Sequence, residues 1–226
     1  MQQMPKISRS NPATRLSEIA YERILEGLFQ RKVEAGAFLS QSDLSTLFDI
    51  PVAPLRDALR MLEGEGILTI HPRSGIQFVR PGLELTRATY QFRSIIERAA
   101  VRVFAEQADE ALLALLTADH QSLIARIEAN GLNASDLPEV DRLEGFMHNS
   151  VIAIMQNPLI QISYRRMMNY LRLLLLDRKF TSPIILRTLR EHVEILAACQ
   201  RRDSDAAEAA LLAHLHAAFQ RNIGFM

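Results

Sequence analysis

Residues 51–66 read Pro51-Val52-Ala53-Pro54-Leu55-Arg56-Asp57-Ala58-Leu59-Arg60-Met61-Leu62-Glu63-Gly64-Glu65-Gly66. Leu55, Ala58, Leu59 and Leu62 fall on one face of a helix, Pro51 suits its first turn, where a missing N–H costs nothing, and the two glycines end it. Val52 and Arg56 stand one turn apart on a face of their own. Just upstream, Ser40-Gln41-Ser42-Asp43 places a hydroxyl at a helix N-cap with a carboxylate three residues on, and Leu44 and Leu47 are predicted to face inward. With only Asp49-Ile50-Pro51 between them, these two short helices read as a helix-turn-helix.

Working outward, Leu16, Ala20, Ile24 and Leu28 recur every four residues, with Ile19 and Leu25 beside them, and predict an amphipathic first helix followed by a turn at Gly36. Downstream, Ile67 to Ile70 and Ile76 to Val79 are β-prone runs that bracket His71-Pro72-Arg73-Ser74-Gly75, a hairpin with basic residues near its tip. Three helices and a hairpin make a winged helix-turn-helix over residues 1–80, and Pro81-Gly82 reads as a linker. From residue 83 to 226 the pattern is all-helical, with breaks at Asn130-Gly131, Asn157-Pro158, Ser182-Pro183 and Arg202-Asp203-Ser204. Six helices are predicted, Glu84 to Glu106, Asp109 to Ala129, Pro138 to Met155, Leu159 to Leu176, Ile184 to Gln200 and Asp205 to Ile223, packed as a bundle. The fold class is therefore mainly α.

The 226 residues carry a net charge of +0, so nothing in the bulk composition announces a nucleic-acid partner, and any positive surface must be local. In the N-terminal segment Lys6, Arg9, Arg15, Arg23, Arg31 and Lys32 are offset by Glu18, Glu22, Glu26 and Glu34. Cys199, the single cysteine, lies in an apolar helical stretch and reads as a buried structural residue, which fits a reducing cytoplasm. Apolar runs such as Leu173 to Leu176 are far too short to span a membrane, and Met1 to Asn11 is polar rather than signal-like, so a cytoplasmic, non-membrane protein is expected. The sequence contains no HExxH, nucleophile elbow or phosphate loop.

Leu16 to Val79 resembles the GntR family of bacterial transcription regulators, and the remainder is similar to the ligand-binding domain of its FCD (FadR C-terminal) branch. The resemblance is carried by Leu39 to Leu44, Pro54 to Gly66 and the wing ending in Gly75, then by Arg93-Ser94-Ile95-Ile96-Glu97, Asn157-Pro158-Leu159, Glu191-His192 and the run from Asp203 to His214-Leu215. It implies a homodimeric regulator, most simply a repressor, that binds a double-stranded DNA operator and responds to a small metabolite. The third helix is then the groove reader, with Arg56 on phosphate or guanine. Ser40, Gln41 and Ser42 donate to phosphate, and the wing residues His71, Arg73 and Gly75 complete the expected DNA surface. Family members commonly carry a Ser/Thr-Arg pair where this chain has Pro51-Val52. Val52 and Ala53 can offer only apolar contact, for instance to a thymine methyl, so operator preference is expected to differ.

In the C-terminal half, Glu144 and His148 are four apart on one predicted helix, while His192 and His214 come from the last two. The set resembles the family's metal tetrad of one acidic residue and three histidines, although the family's acid is usually Asp, and Asp141, one turn earlier, is a fallback ligand. Such donors suit a divalent transition metal, zinc first and nickel second, rather than calcium. An open coordination position implies a small carboxylate effector with Arg93 as counter-charge, against an ordinary salt bridge from Arg93 to Glu97 or Asp141. His120 and His216 read as ordinary core or surface residues. The alternatives are a metal-dependent hydrolase built on the same Glu/His cluster, for which no general base is assignable, and a module whose winged helix binds a protein.

Overall fold

The structure, a computed structural model, describes residues 12–176 and 180–223. The segment Met1 to Asn11, including Lys6 and Arg9, lies outside the described residues, as do the side chains of residues 12–14. The chain divides into two compact units, 1–81 and 82–226.

In the first unit, α1 (Pro12–Phe29), α2 (Gln41–Phe48) and α3 (Val52–Gly64) are joined by β1 (Phe38–Leu39), β2 (Leu68–His71) and β3 (Gly75–Phe78). The strands form one antiparallel sheet in the order β1-β3-β2. The hairpin is as expected to within one residue at each strand, but β1 was not visible in the sequence. A two-residue strand has no room for alternation, and it is defined only by the pairing of Phe38 with Gln77 and Leu39 with Ile76. Leu55, Ala58, Leu59 and Leu62 of α3 are all buried, as their spacing predicts.

Three leucine and isoleucine positions differ from expectation. Leu16 and Ile19 on α1 are 53% and 42% exposed, because the buried stripe runs through Ser17, Ala20, Ile24 and Leu28 instead. On α2, Leu44 is buried while Leu47 is 47% exposed. The neighbouring Phe48, one turn after Leu44, takes the inward place: its ring lies over Gly27 of α1 so closely that a Cβ there would sit 2.2 Å from Cε1. The N-cap forecast for α2 is met in full. The Ser40 Oγ accepts from the Asp43 N–H at 3.1 Å, and the Asp43 carboxylate accepts from the Ser40 N–H at 3.0 Å.

The second unit comprises α4 (Leu83–Gln107), α5 (Glu110–Asn130), a 3-10 turn (Ala134–Asp136), α6 (Leu137–Ala153), α7 (Pro158–Leu175), α8 (Ser182–Gln200) and α9 (Ser204–Ile223). Its helices begin and end on local chemistry. Asp109 caps α5 by accepting from the Ala111 and Leu112 N–H groups, and Gly131 at φ 75 ends it, a left-handed position that strains any Cβ. Asn157 caps α7 in the same way and Pro158 opens it. The α9 helix packs against α4 and α8, and α8 against α5, around a core that includes Val101, Phe104, Leu116, Met147, Leu196, Leu211 and Leu215. Cys199 is buried in that core, and burial pushes its thiol up to about 11, so it is inert as expected. No helix among the described residues is long and apolar enough to cross a membrane.

Within this apolar bundle, Arg93, Glu97, His120, His148, His192 and His214 are buried, each at most 2% exposed. Buried charges and imidazoles are tolerated only when their hydrogen-bonding groups find partners, so their arrangement demands an account.

Candidate functional site

On the N-terminal unit the expected nucleic-acid face is open to solvent. Val52, Ala53 and Arg56 are all exposed on α3, while its other face is held by the buried leucines. Pro51 occupies the N-cap and offers no side-chain cap, leaving the first turn of α3 bare. At the start of α2, Ser42 is exposed and Gln41 half-buried. The Ser40 hydroxyl, in contrast, donates to Asp43 Oδ2 at 2.7 Å, so its proton is already committed within the capping box.

In the wing, His71 Nε2 lies 3.1 Å from Gln77 Oε1, with the His71 ring tilted against Phe38 at 5.7 Å, and Arg73 is exposed in a left-handed turn at φ 66. Gly75 has a packing role. At φ 149 its missing Cβ would stand 2.8 Å from both the Leu39 carbonyl oxygen and the Phe38 ring, so only glycine lets β1 close on β3.

In the C-terminal unit, Glu144 and His148 of α6, His192 of α8 and His214 of α9 each offer one ligand atom, and all four atoms lie within 4.8 Å of one another. Asp141 is exposed and does not join this cluster. His148 Nδ1 is 2.6 Å from Glu97 Oε2, and His214 Nδ1 is 2.9 Å from Glu191 Oε2. A carboxylate accepts, so both rings carry their proton on Nδ1. His192 Nδ1 instead faces His120 Nε2 at 3.1 Å, while His120 Nδ1 is 2.7 Å from the Leu116 carbonyl oxygen. Because a carbonyl can only accept, the proton of His120 sits on Nδ1, its Nε2 accepts, and His192 must donate from Nδ1.

In their neutral forms, all three clustered rings therefore turn the Nε2 lone pair toward one point. None of these three atoms has a hydrogen-bond partner among the described residues. The Glu144 carboxylate stands 3.4 Å from His148 Nε2 and 3.3 Å from His192 Nε2 in poor hydrogen-bonding alignment. Burial pushes His120 and His214 down to about 4 and holds His192 below its ordinary value, so these imidazoles are neutral near pH 7. Burial opposes the charge on Glu144, but His148, His192 and Arg93 outweigh it and keep its carboxyl well below the usual range. Three converging imidazole nitrogens and one carboxylate are a donor set that could hold a divalent transition metal.

Arg93 of α4 borders the cluster. Its Nε donates to Glu97 Oε1 at 2.7 Å, and its Nη2, 3.8 Å from Glu144 Oε1, is buried with no hydrogen-bond partner. Of the two sequence readings of Arg93, the salt bridge to Glu97 is thus present, yet one face of the guanidinium is still unmatched. Glu97 also accepts from the Tyr164 hydroxyl at 2.9 Å, which leaves it fully engaged. Burial would raise its pKa, but Arg93 and His148 outweigh that and keep it ionised. On the far side, Arg221 clamps Glu191 with two bonds of 2.8 Å, and Glu191 is lowered to about 2 despite its burial.

The residues that orient the cluster were mostly missed from sequence. Glu191 adjoins His192 in the chain but supports His214, a pairing that only the packing of α8 on α9 creates. Tyr164 and Arg221 carried no spacing signal. His120, read from the sequence as an ordinary core or surface residue, instead backs His192, and the signal for its burial was its place between Leu116 and Leu123 on the apolar stripe of α5. His216 is exposed on α9 and stays an ordinary surface residue.

Residues 16–78 match the family described as bacterial regulatory proteins, gntR family, and residues 88–217 match the FCD domain. The HTH-type transcriptional repressor RspR of Escherichia coli is 25% identical over 209 residues, covering 91% of this chain and 88% of that protein. Among solved structures, McbR/YncC of E. coli superimposes with a TM-score of 0.73 at 15% identity over 96% of this chain and 99% of that one. The metal-free FCD domain of TM0439 gives a TM-score of 0.52 at 20% identity over 64% of this chain and 96% of that one.

Proposed function

Because the chain belongs to the FCD branch of the GntR family of bacterial transcriptional regulators, we propose that it grips an operator through α3 and the wing and releases it in response to a small carboxylate. Family and relatives are DNA-binding regulators and not enzymes, which sets the hydrolase alternative aside. The carboxylate is held in the C-terminal bundle by a divalent transition metal, zinc before nickel, on Glu144, His148, His192 and His214, and by Arg93.

The observation that carries this reading is the convergence of three unpartnered Nε2 atoms, the Glu144 carboxylate and the unpartnered Arg93 Nη2 on one buried point. The charge balance favours an anion. Arg93 pairs with Glu97 and Arg221 with Glu191, so Glu144 is the carboxylate of the cluster without a cation of its own among the described residues. A divalent ion there leaves one positive charge to be matched, and supplies the Lewis acidity that holds a carboxylate oxygen. Arg93 Nη2 provides a directed donor for the other oxygen.

At the DNA end, Arg56 contacts phosphate or guanine, and Val52 and Ala53 lie against thymine methyl groups. Gln41, Ser42, His71 and Arg73 hold the backbone, and the Ser40 cap presents the α2 N-terminus to it. Two copies related by two-fold symmetry read paired half-sites, hence a homodimer. Repression follows the relatives named as repressors, and the effector acts only through its unequal affinity for the DNA-bound and free arrangements.

The test is calorimetric titration of zinc, then citrate as a probe carboxylate, into chelator-treated protein. One zinc per chain is expected in the wild type and none in His148→Ala, and citrate binding that needs both zinc and Arg93. Citrate uptake that persists in Arg93→Met or without zinc would refute the effector site. Genomic fragments recovered on the protein supply the operator, on which Arg56→Ala should lose about 1–3 kcal/mol of affinity.

A further inference from the structure

Two of the three clustered imidazoles lean on carboxylates, and the third does not. His148 is backed by Glu97 and His214 by Glu191, but His192 is backed by another histidine, His120 of α5, at 3.1 Å. His120 is fully buried, and its ring meets that of His192 edge-on with centroids 5.2 Å apart. Neither ring can rotate freely: the Nδ1 of His120 is tied to the Leu116 carbonyl one helical turn back at 2.7 Å.

We infer that His120 is a positioning residue of the metal site, holding His192 in the Nδ1–H form so that its Nε2 lone pair faces the other donors. The reason is the competing tautomer. Glu144 Oε2 stands 3.3 Å from His192 Nε2, close enough to accept a proton-bearing nitrogen after a small adjustment. Left alone, His192 gains by placing its proton on Nε2 and donating to Glu144, and that proton then occupies the point where a cation must bind. An acceptor behind Nδ1 removes the gain, because an Nε2–H form would bring the bare Nδ1 of His192 against the bare Nε2 of His120. His120 can act as that acceptor only because the Leu116 carbonyl has claimed its other nitrogen. The chain Leu116, His120, His192 is thus a directed relay of two hydrogen bonds that ends in a lone pair.

A neutral imidazole in this place also differs chemically from the carboxylates behind the other two rings. It fixes orientation without adding negative charge, so the cluster gains no further anion and stays receptive to a carboxylate ligand. This inference rests on the metal reading above, and its experiment separates the two.

Histidine-15N-labelled, chelator-treated protein reports tautomers directly by long-range proton–nitrogen correlation spectra, and zinc affinity is read by competition with a chromophoric chelator. In the wild type, His192 should show the Nδ1–H pattern. In His120→Phe, His192 should convert to Nε2–H and zinc affinity should fall about 10–100-fold. In His120→Gln, whose amide oxygen can stand near the vacated Nε2 as an acceptor, the Nδ1–H pattern and most of the affinity should return. Unchanged zinc affinity in His120→Phe overturns the inference. So does equal weakening in both variants with the His192 tautomer unmoved, which is the mark of a packing defect. If the wild type itself takes up no zinc, the metal reading falls and carries this inference with it, a result recognisable because it does not depend on residue 120.

Discussion

Replacing Arg93 with Met, which fills similar space without charge, tests the buried pair at the heart of the bundle. Arg93 is 1% and Glu97 0% exposed, and the Arg93 Nε bond to Glu97 is 2.7 Å long. After the substitution Glu97 keeps the Tyr164 hydroxyl at 2.9 Å and His148 Nδ1 at 2.6 Å, but the guanidinium beside it is gone. Removing one partner of a buried ion pair typically costs about 3–5 kcal/mol, because the remaining charge is buried without compensation. The two surviving hydrogen bonds place the expected loss toward the lower end, about 3 kcal/mol. The double variant Arg93→Met/Glu97→Gln removes both charges, so it should recover much of this loss, and the cycle should yield a coupling of about 1–3 kcal/mol. Urea denaturation of chelator-treated protein, followed by helical circular dichroism, measures each corner of the cycle. A single-variant loss below about 1 kcal/mol, or additivity of the two substitutions, would refute the claim that Glu97 depends on Arg93 for its charge. Citrate binding should vanish in single and double variants alike, so stability and ligand recognition are separable.

In metal-free protein, His120 and His214 are lowered to about 4 from an ordinary 6.5, so the unfolded chain binds more protons between those values. Their contribution is intact above pH 6.5 and is lost on acidification through the window to about pH 4, with a slope of up to about 1.4 kcal/mol per pH unit for each. Denaturation midpoints that stay flat from pH 6.5 to 4.5 would contradict neutral, buried imidazoles. Gly75→Ala puts a Cβ 2.8 Å from the Leu39 carbonyl oxygen at φ 149, and should destabilise the N-terminal unit by about 1–3 kcal/mol with weaker DNA binding, checked by thermal melting of the wild type and variant. Ser40→Ala removes the α2 cap and should lower stability by about 1 kcal/mol, whereas Ser42→Ala on the exposed first turn should stay within about 0.5 kcal/mol. Equal effects of the two would argue against the capping box.

The order and type of the helices were legible because they depend on local chemistry. Leu55, Ala58, Leu59 and Leu62 repeat at the helical period, Ser40 and Asp43 satisfy each other across one turn, and Asn157-Pro158 caps and starts α7 without distant help. The candidate ligands Glu144, His148, His192 and His214 were nameable through resemblance, and an i, i+4 pair must share a helix face in any case. Errors arose where a residue's side of the helix is set by a neighbour far along the chain. Leu47 yields its inward place to Phe48 because α1 offers a glycine at that point, and β1 exists only because β3 pairs with it.

Local pattern along the chain was enough to determine a helix-turn-helix with a hairpin, a third helix with Val52 and Arg56 outward, and a helical remainder, and resemblance added four metal-type donors on three helices. Tertiary packing alone decided what makes those donors a site: the backing of His148 by Glu97, His214 by Glu191 and His192 by His120, and the single unmatched nitrogen of Arg93. Helix periodicity reaches only a few residues, whereas these hydrogen bonds join positions 23 to 72 apart in sequence. A lone pair's direction is therefore a property of the packed bundle rather than of any segment within it.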